Sequence, residues 1–287
     1  MNSKLRAYYR LTKPGIIYGN LLMLIGGYLF GAKGSVDWTT LFGVVTGTAL
    51  VIASGCVVNN YVDRDIDVYM QRTKKRALVT GTVSGRTALV YAVCLGVVGF
   101  LLLATFTNAL TVFIGATGLF SYALVYSYVK RHSIHATLIG TIPGALPPMA
   151  GYVAATNQLD TTAWILFSIM VFWQMVHFYA IAIFRIADYK KAKVPVMPAV
   201  KGVPSTIIQM NIYAVAYLLA ILALAFWSYA SFTYLAVMLV VSGWWLSALL
   251  HGFRTTKYTP WARKVFLRSL FILPTLSLML AINIWLP

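Results

Sequence analysis

Long apolar runs separated by short polar breaks set the rhythm of this chain. To cross the roughly 30 Å of a bilayer's hydrocarbon, a helix needs about 20 largely apolar residues. Nine runs meet that length, and they predict helices at 15–32, 38–62, 85–106, 108–129, 136–155, 161–184, 206–228, 232–252 and 264–285. The fold class expected is therefore all-α. It is a polytopic membrane protein with nine transmembrane helices, arranged as two four-helix halves plus a ninth helix, in a single transmembrane domain over 1–287. The early run is not expected to be a cleaved leader, because residues 5–13 lead into a longer segment with no small-residue cleavage site.

The polar breaks carry the charge, and its distribution gives an orientation. Cytoplasmic loops retain Lys and Arg. Alternating the nine spans from a cytoplasmic N-terminus leaves only Lys33, out of 23 Lys and Arg, on the outer side. Residues 1–14 are then a cytoplasmic N-terminal segment, 63–84 and 185–205 are the longest cytoplasmic loops, and the C-terminus lies opposite. The expected location is a bacterial cytoplasmic (inner) membrane.

Composition agrees with a bilayer as solvent: 60% of residues are hydrophobic and 10% charged, against about 25% charged in soluble domains. The net charge of +17 needs no nucleic acid as partner. Cations at an inner surface set topology and attract anionic headgroups, by about 1 kcal/mol each. Cys56 and Cys94 lack CxxC spacing and fall inside expected helices, so neither a disulfide framework nor a zinc site is indicated.

Acidic residues are few enough to be informative: six Asp and no Glu. Asp37 and Asp160 fall in short outer loops. The other four face the cytoplasm, as Asp63, Asp65 and Asp67 after helix 2 and Asp188 after helix 6. In "NNYVDRDIDVYMQRTKKR", residues 59–76, a continuing helix would carry Asn59, Asp63 and Asp67 on one face. Each step of four turns that face by only about 40° and rises about 6 Å. Asp65 points elsewhere. Stacked oxygen donors suit a hard ion such as Mg²⁺, which takes one or two carboxylates and completes its shell with water and phosphate oxygens. The competing account is a solvated cap in which Asp63 and Asp67 pair with Arg64, Arg72 or Lys74.

The same stretch, with "LTKPGIIYGNLL", "YSYVKRHSIHATLIGTIPGALPPMAGY" and "WQMVHFYAIAIFRIADYKKAKVPVMP", resembles the UbiA-type intramembrane prenyltransferases. The likeness runs along essentially the whole chain, to their haem-prenylating branch. It implies transfer of a farnesyl group from farnesyl diphosphate to a vinyl group of protohaem IX, with addition of water, giving haem O and diphosphate. It implies Mg²⁺ as cofactor, held by Asn59, Asp63 and Asp67 as catalytic and metal-binding residues. Arg72, Arg76, Lys130 and Arg131, with Lys13 as a further choice, would clamp the diphosphate. The partners implied are protohaem IX, farnesyl diphosphate, the lipid bilayer, and a downstream haem-modifying enzyme or terminal oxidase assembly.

After helix 6 the superfamily's second aspartate-rich motif is depleted here to Arg185, Asp188 and Tyr189, which suggests adaptation to a different acceptor. His177, two turns inside the expected end of helix 6, needs a partner: haem iron or a hydrogen bond to a neighbouring helix. His132 and His135, beside Lys130, would touch haem or diphosphate, or cap helix 5. Pro143, Pro147 and Pro148 would break or kink helix 5, and its glycines permit close backbone approach.

Two alternatives stay open. A UbiA-type enzyme acting on an aromatic quinone precursor would carry more aspartates after helix 6. A haem-binding membrane transporter would place acids near the bilayer midplane, whereas the aspartates here sit at the surfaces. Because Asp63 and Asp67 are read as surface carboxylates, substituting either is expected to stop turnover without disturbing the fold.

Overall fold

The structure is a computed structural model that describes residues 3–227 and 230–287. Position 228, the expected end of the seventh helix, lies outside the described residues. Among these there are no strands, and nine helices are long and apolar enough to cross a membrane. They are α1 (Pro14–Ala32), α2 (Trp38–Asp67), α3 (Gly85–Phe106), α4 (Ala109–Val129), α5 (Ala136–Thr156), α6 (Thr161–Phe184), α7 (Val203–Trp227), α8 (Phe232–Phe253) and α9 (Tyr258–Trp285). This is a multi-pass membrane protein. A short helix, Ser3–Leu11, precedes α1.

Polar residues at the breaks start the helices. Asp37 accepts from the Thr39 amide at 2.9 Å, and Asp160 from the Ala163 amide at 3.1 Å. Ser84 and Asn108 do the same for α3 and α4. Each such cap contributes about 1 kcal/mol. The two outer-loop aspartates are therefore helix caps, and Asp160 also accepts from the Tyr152 hydroxyl.

Two boundaries move in ways that matter. The second helix continues five residues past its expected end, to Asp67, so the whole oxygen-bearing stretch is helical. The ninth begins at Tyr258 rather than 264, which puts Arg263 and Lys264 on the helix instead of in the preceding loop.

Packing is organised around α1 and α5, which run against each other. α2, α3 and α4 adjoin this pair as one group, while α6 contacts α5 and α9 contacts α1, α6 and α8. The α1/α5 seam is close because two glycines allow it. A Cβ on Gly27 would strike the carbonyl of Pro148, and one on Gly151 would strike the carbonyl of Leu24. Of the break or kink expected at Pro143, Pro147 and Pro148, the break is absent: α5 remains one helix from Ala136 to Thr156. Its glycine and proline cluster makes a tight seam. Valine and leucine side chains of α3, such as Val93, Val97 and Leu101, are exposed, as expected for a surface solvated by lipid.

Candidate functional site

At the cation-rich end of the bundle, the last two turns of α2 carry Asn59, Asp63 and Asp67. All three are buried, with 3%, 8% and 3% of their surface exposed. A solvated cap is thereby excluded, since carboxylates this deep need fixed partners.

Each rung of this ladder has a cation, and the three cations come from different segments. Lys13 Nζ donates to Asn59 Oδ1 at 2.5 Å. Lys130 pairs with Asp63 Oδ1. Arg76 donates to Asp67 Oδ2 at 2.5 Å. Lys130 Nζ and Asp63 Oδ1 are spent on each other, whereas the buried Asn59 Nδ2 and Asn60 Oδ1 have no hydrogen-bond partner. The cluster therefore holds three cations against two carboxylates, together with buried polar atoms whose bonding capacity is unused.

Local structure explains how the cations arrive. Asn60, the neighbour of the first rung, turns away and donates to Leu11 O at 2.8 Å and Cys56 O at 3.0 Å. That ties the amino-terminal segment to α2. Leu11 itself is buried with Val57, Val83, Ala88 and Ala92. Lys13, in the left-handed region with φ 53°, then directs the chain into α1, where Pro14 occupies the first helical position. Arg76 is positioned by the loop after α2, where Thr73 donates to Asp67 O at 3.1 Å.

Lys130 follows a stretch that sequence reasoning missed. Residues Ser121–Tyr126 of α4 form a π-helical turn, a form often found at functional sites. It stacks Tyr122 on Tyr126, with ring centroids 5.9 Å apart and planes 8° from parallel. Lys13 lies 5.9 Å from the first ring and Lys130 5.2 Å from the second. Gly140 of α5 makes room, since a Cβ there would meet the Tyr126 ring at 2.8 Å. The tyrosines of "SYALVYSYVK" were visible, but the widened turn that aligns Tyr122 with Tyr126 leaves no mark in spacing.

Burial pushes the Lys13 ammonium down to about 8, with Arg76 and Lys130 adding to the effect and Asp63 opposing it. Below that pH the amine is charged and attracts an anion; above it the attraction is lost. An anionic ligand held here should bind progressively more weakly as pH rises through about 8. Lys13→Arg, whose guanidinium stays protonated, should flatten that dependence when affinity is measured by calorimetry. Burial also lowers the Lys130 ammonium, against the opposing pull of Asp63.

The remaining candidates are distributed differently. Arg131 turns away from the ladder, making a two-pronged bond to Asp65 at 2.7 and 2.8 Å and donating to Val62 O at 2.6 Å. It joins α4 to α2 and is not among the cations contacting the ladder. Because that pair is exposed, its contribution is about 1 kcal/mol or less. Asp65→Asn should shift the thermal midpoint only slightly. Arg72 is exposed but within electrostatic reach of Tyr126 and of Tyr189 from the loop after α6. Tyr189 is pushed up by burial, with Arg72 and Arg185 opposing, and so brings the two long loops together. Asp188 lies 3.7 Å from Arg185. His132 bonds Tyr128 O at 2.8 Å; His135 is exposed just before α5. His177 is buried away from the ladder, bonded through Nδ1 to Ser269 Oγ at 2.7 Å.

Among the described residues, no three His, Cys, Asp or Glu side chains gather into a metal-binding group. The ladder offers two carboxylates and one carboxamide oxygen; neighbouring rungs stand about 6 Å apart, so an adjacent pair of rungs, not all three, fits one magnesium ion that completes its shell with water and phosphate oxygens.

Residues 20–272 match the UbiA prenyltransferase family. The chain belongs to that family. Similar UbiA-family relatives include the protoheme IX farnesyltransferase of Serratia proteamaculans (strain 568). It is 46% identical over 280 residues, covering 97% of this chain and 95% of that one. The protoheme IX farnesyltransferase of Edwardsiella ictaluri (strain 93-146) is 47% identical over the same shares. Among solved structures, a digeranylgeranylglyceryl phosphate synthase superposes with a TM-score of 0.82 at 18% identity, covering 99% of both chains. A UbiA homologue from Archaeoglobus fulgidus bound to DMAPP and Mg²⁺ gives 0.70 at 17% identity, covering 94% of this chain and 99% of that one. At such identities the likeness establishes the fold. The ladder, Lys130 and His177 lie inside the UbiA-matched span, and Lys13 lies just before it.

Proposed function

We propose that this UbiA-family protein transfers a farnesyl group from farnesyl diphosphate to a vinyl group of protohaem IX, with water adding to give haem O and diphosphate. The relatives at 46–47% identity support the substrates. The observation that carries the chemistry is the buried ladder with a cation on each rung. It is a site with excess positive charge and unused polar atoms, suited to a metal-bound diphosphate.

Asp63, with Asp67 or Asn59 Oδ1, would hold Mg²⁺, which the Archaeoglobus fulgidus homologue binds together with its prenyl diphosphate. When bound, the ion supplies charge neutralisation of the leaving diphosphate. With those oxygens committed, Lys13, Lys130 and Arg76 turn to phosphate oxygens, and Arg72 adds charge from the loop. The allylic C–O bond then breaks with its electron pair leaving on diphosphate, and fixed cations stabilise the charge as it develops. The farnesyl cation is attacked by a vinyl carbon of protohaem; hydroxide from water adds to the other vinyl carbon, and a proton is released. The stacked faces of Tyr122 and Tyr126 flank the site and favour a nearby cation. The surrounding apolar helices keep water from the cation until the vinyl group reacts.

The cation-rich end is assigned to the cytoplasmic side of a bacterial inner membrane, with the N-terminus on that side and the C-terminus opposite. Diphosphate released there is water-soluble, whereas the haem product keeps its added chain in the bilayer. Its consumer would be a membrane-bound haem-modifying enzyme or oxidase assembly. The test is incubation of the purified protein with protohaem, Mg²⁺ and farnesyl diphosphate, followed by mass spectrometry of the extracted haem. A haem heavier by one farnesyl group and one water is expected; unchanged protohaem from folded protein would defeat the reading.

A further inference from the structure

The second half of the bundle contains a side-chain arrangement that the ladder chemistry does not use. It begins with His177 on α6. Ser269 Oγ of α9 lies 2.6 Å from Phe266 O, to which it donates, and 2.7 Å from His177 Nδ1. With the serine proton on Phe266 O, the Nδ1–H tautomer of the neutral imidazole is the one that satisfies both contacts, and it leaves the Nε2 lone pair free. Among the described residues no hydrogen bond reaches that nitrogen. A hydrogen bond that locks one imidazole nitrogen and leaves the other bare is the usual preparation of a metal-ligating histidine.

Aromatic rings surround this histidine and lead toward the cation-rich end. Trp173 stacks on it at 4.7 Å and is itself fixed by a bond to Ser269 O at 3.1 Å. Phe266 lies 4.8 Å from it on the α9 side, and Phe184 lies 5.5 Å beyond Phe266. Over Phe184 are two guanidinium groups, those of Arg185 at 5.6 Å and Arg263 at 5.9 Å. Among the described residues Arg263 has no ion-pair partner, and Arg185 has Asp188 at 3.7 Å, too far for a strong pair. From His177 to Phe184 is seven residues of helix, about 10 Å, comparable with the span from the iron of a haem to its propionate carboxylates.

We infer that these residues form the acceptor subsite, in which His177 Nε2 ligates the iron of protohaem while Arg185 and Arg263 hold its two propionates at the membrane surface. This rests on the proposed function and names how its acceptor is recognised. Ser269 is a positioning residue that fixes the imidazole tautomer. The arrangement accounts for the single aspartate after α6: a dianionic acceptor is served by arginines, and more carboxylates would repel it. Tyr189 is within electrostatic reach of Arg185 in this subsite and of Arg72 and Tyr126 beside the ladder.

The test uses full-length protein in lipid nanodiscs, titrated with ferric protohaem and with its dimethyl ester, which keeps the ring and iron but removes both propionate charges. Wild type should bind the diacid about tenfold tighter than the ester, and Arg185→Gln/Arg263→Gln should bind the two alike. His177→Ala should change the Soret and electron paramagnetic resonance spectra of the bound ferric haem, with added imidazole restoring them. Ser269→Ala should leave the iron ligated but with a shifted spectrum. Retained farnesyl diphosphate binding in each variant separates these effects from misfolding. Preference for the diacid surviving in the double variant, an unchanged spectrum in His177→Ala, or no protohaem binding by wild type would overturn the subsite. Binding with all these signatures but without prenylated product would leave the subsite standing and reject the transferase reading.

Discussion

Replacing Asp63 with asparagine should lower prenyl transfer at least about 10³-fold. The carboxylate is one of two charges available to a metal ion on the ladder, and removing a single fixed group that stabilises developing transition-state charge already costs about 10²–10³ in rate. The same substitution should also destabilise the fold, contrary to what a surface carboxylate would imply. Asp63 and Lys130 are both buried, with side chains only 12% and 8% exposed. Losing one partner of a buried pair leaves an uncompensated charge, at about 3–5 kcal/mol. The two effects can be separated. Asp63→Asn/Lys130→Met removes both members of the pair and should recover most of the thermal midpoint while remaining inactive. Recovery of turnover in that double variant would mean that Asp63 serves only to neutralise Lys130.

Gly151→Leu should produce the largest structural effect, a loss of monodisperse folded protein from detergent extracts. A side chain at 151 meets the backbone carbonyl of Leu24, which cannot swing aside as the end of a side chain could, so α1 and α5 must separate. Gly151→Ala should be milder, at about 1–3 kcal/mol for one inserted methyl group. Gly243→Ala, where a Cβ meets nothing within 4 Å, should leave the midpoint unchanged. Function should suffer with the fold, because Lys13 immediately precedes α1 and Gly140 of α5 provides the space for Tyr126. An equal response at positions 151 and 243 would remove the seam from its central place in the fold.

The nine crossings were legible because hydrocarbon thickness imposes a minimum run length, and Lys and Arg mark the breaks. Boundaries were less so. Apolar content falls before α2 ends and rises after α9 begins, so Val62 and Lys264 looked like edges although hydrogen-bonded helix continues through both. The ladder was legible because its four-residue spacing is a property of one helix. Its partners were not. Lys13 reaches Asn59 across 46 residues, Lys130 approaches Asp63 only where α4 ends beside α2, and adjacent Arg131 is spent on Asp65. Nothing in "VKRH" distinguishes the lysine that enters the site from the arginine that does not. Ser269 was equally hidden: a lone serine in an apolar helix becomes informative only when His177 is found against it. Local chemistry disfavours the prolines of α5 inside a helix and so pointed to a break, whereas the helix runs on unbroken against α1 and its glycines make the close approach that the sequence allowed.

The central claim is that the cations on the three rungs are exchanged for magnesium and phosphate when the donor binds. A structure with Mg²⁺ and an unreactive farnesyl thiolodiphosphate tests it most directly. Asp63 and Asp67 should then face the metal, with Lys13, Lys130 and Arg76 on phosphate oxygens. If the Lys130–Asp63 and Arg76–Asp67 pairs stay closed and the diphosphate lies elsewhere, the claim is wrong.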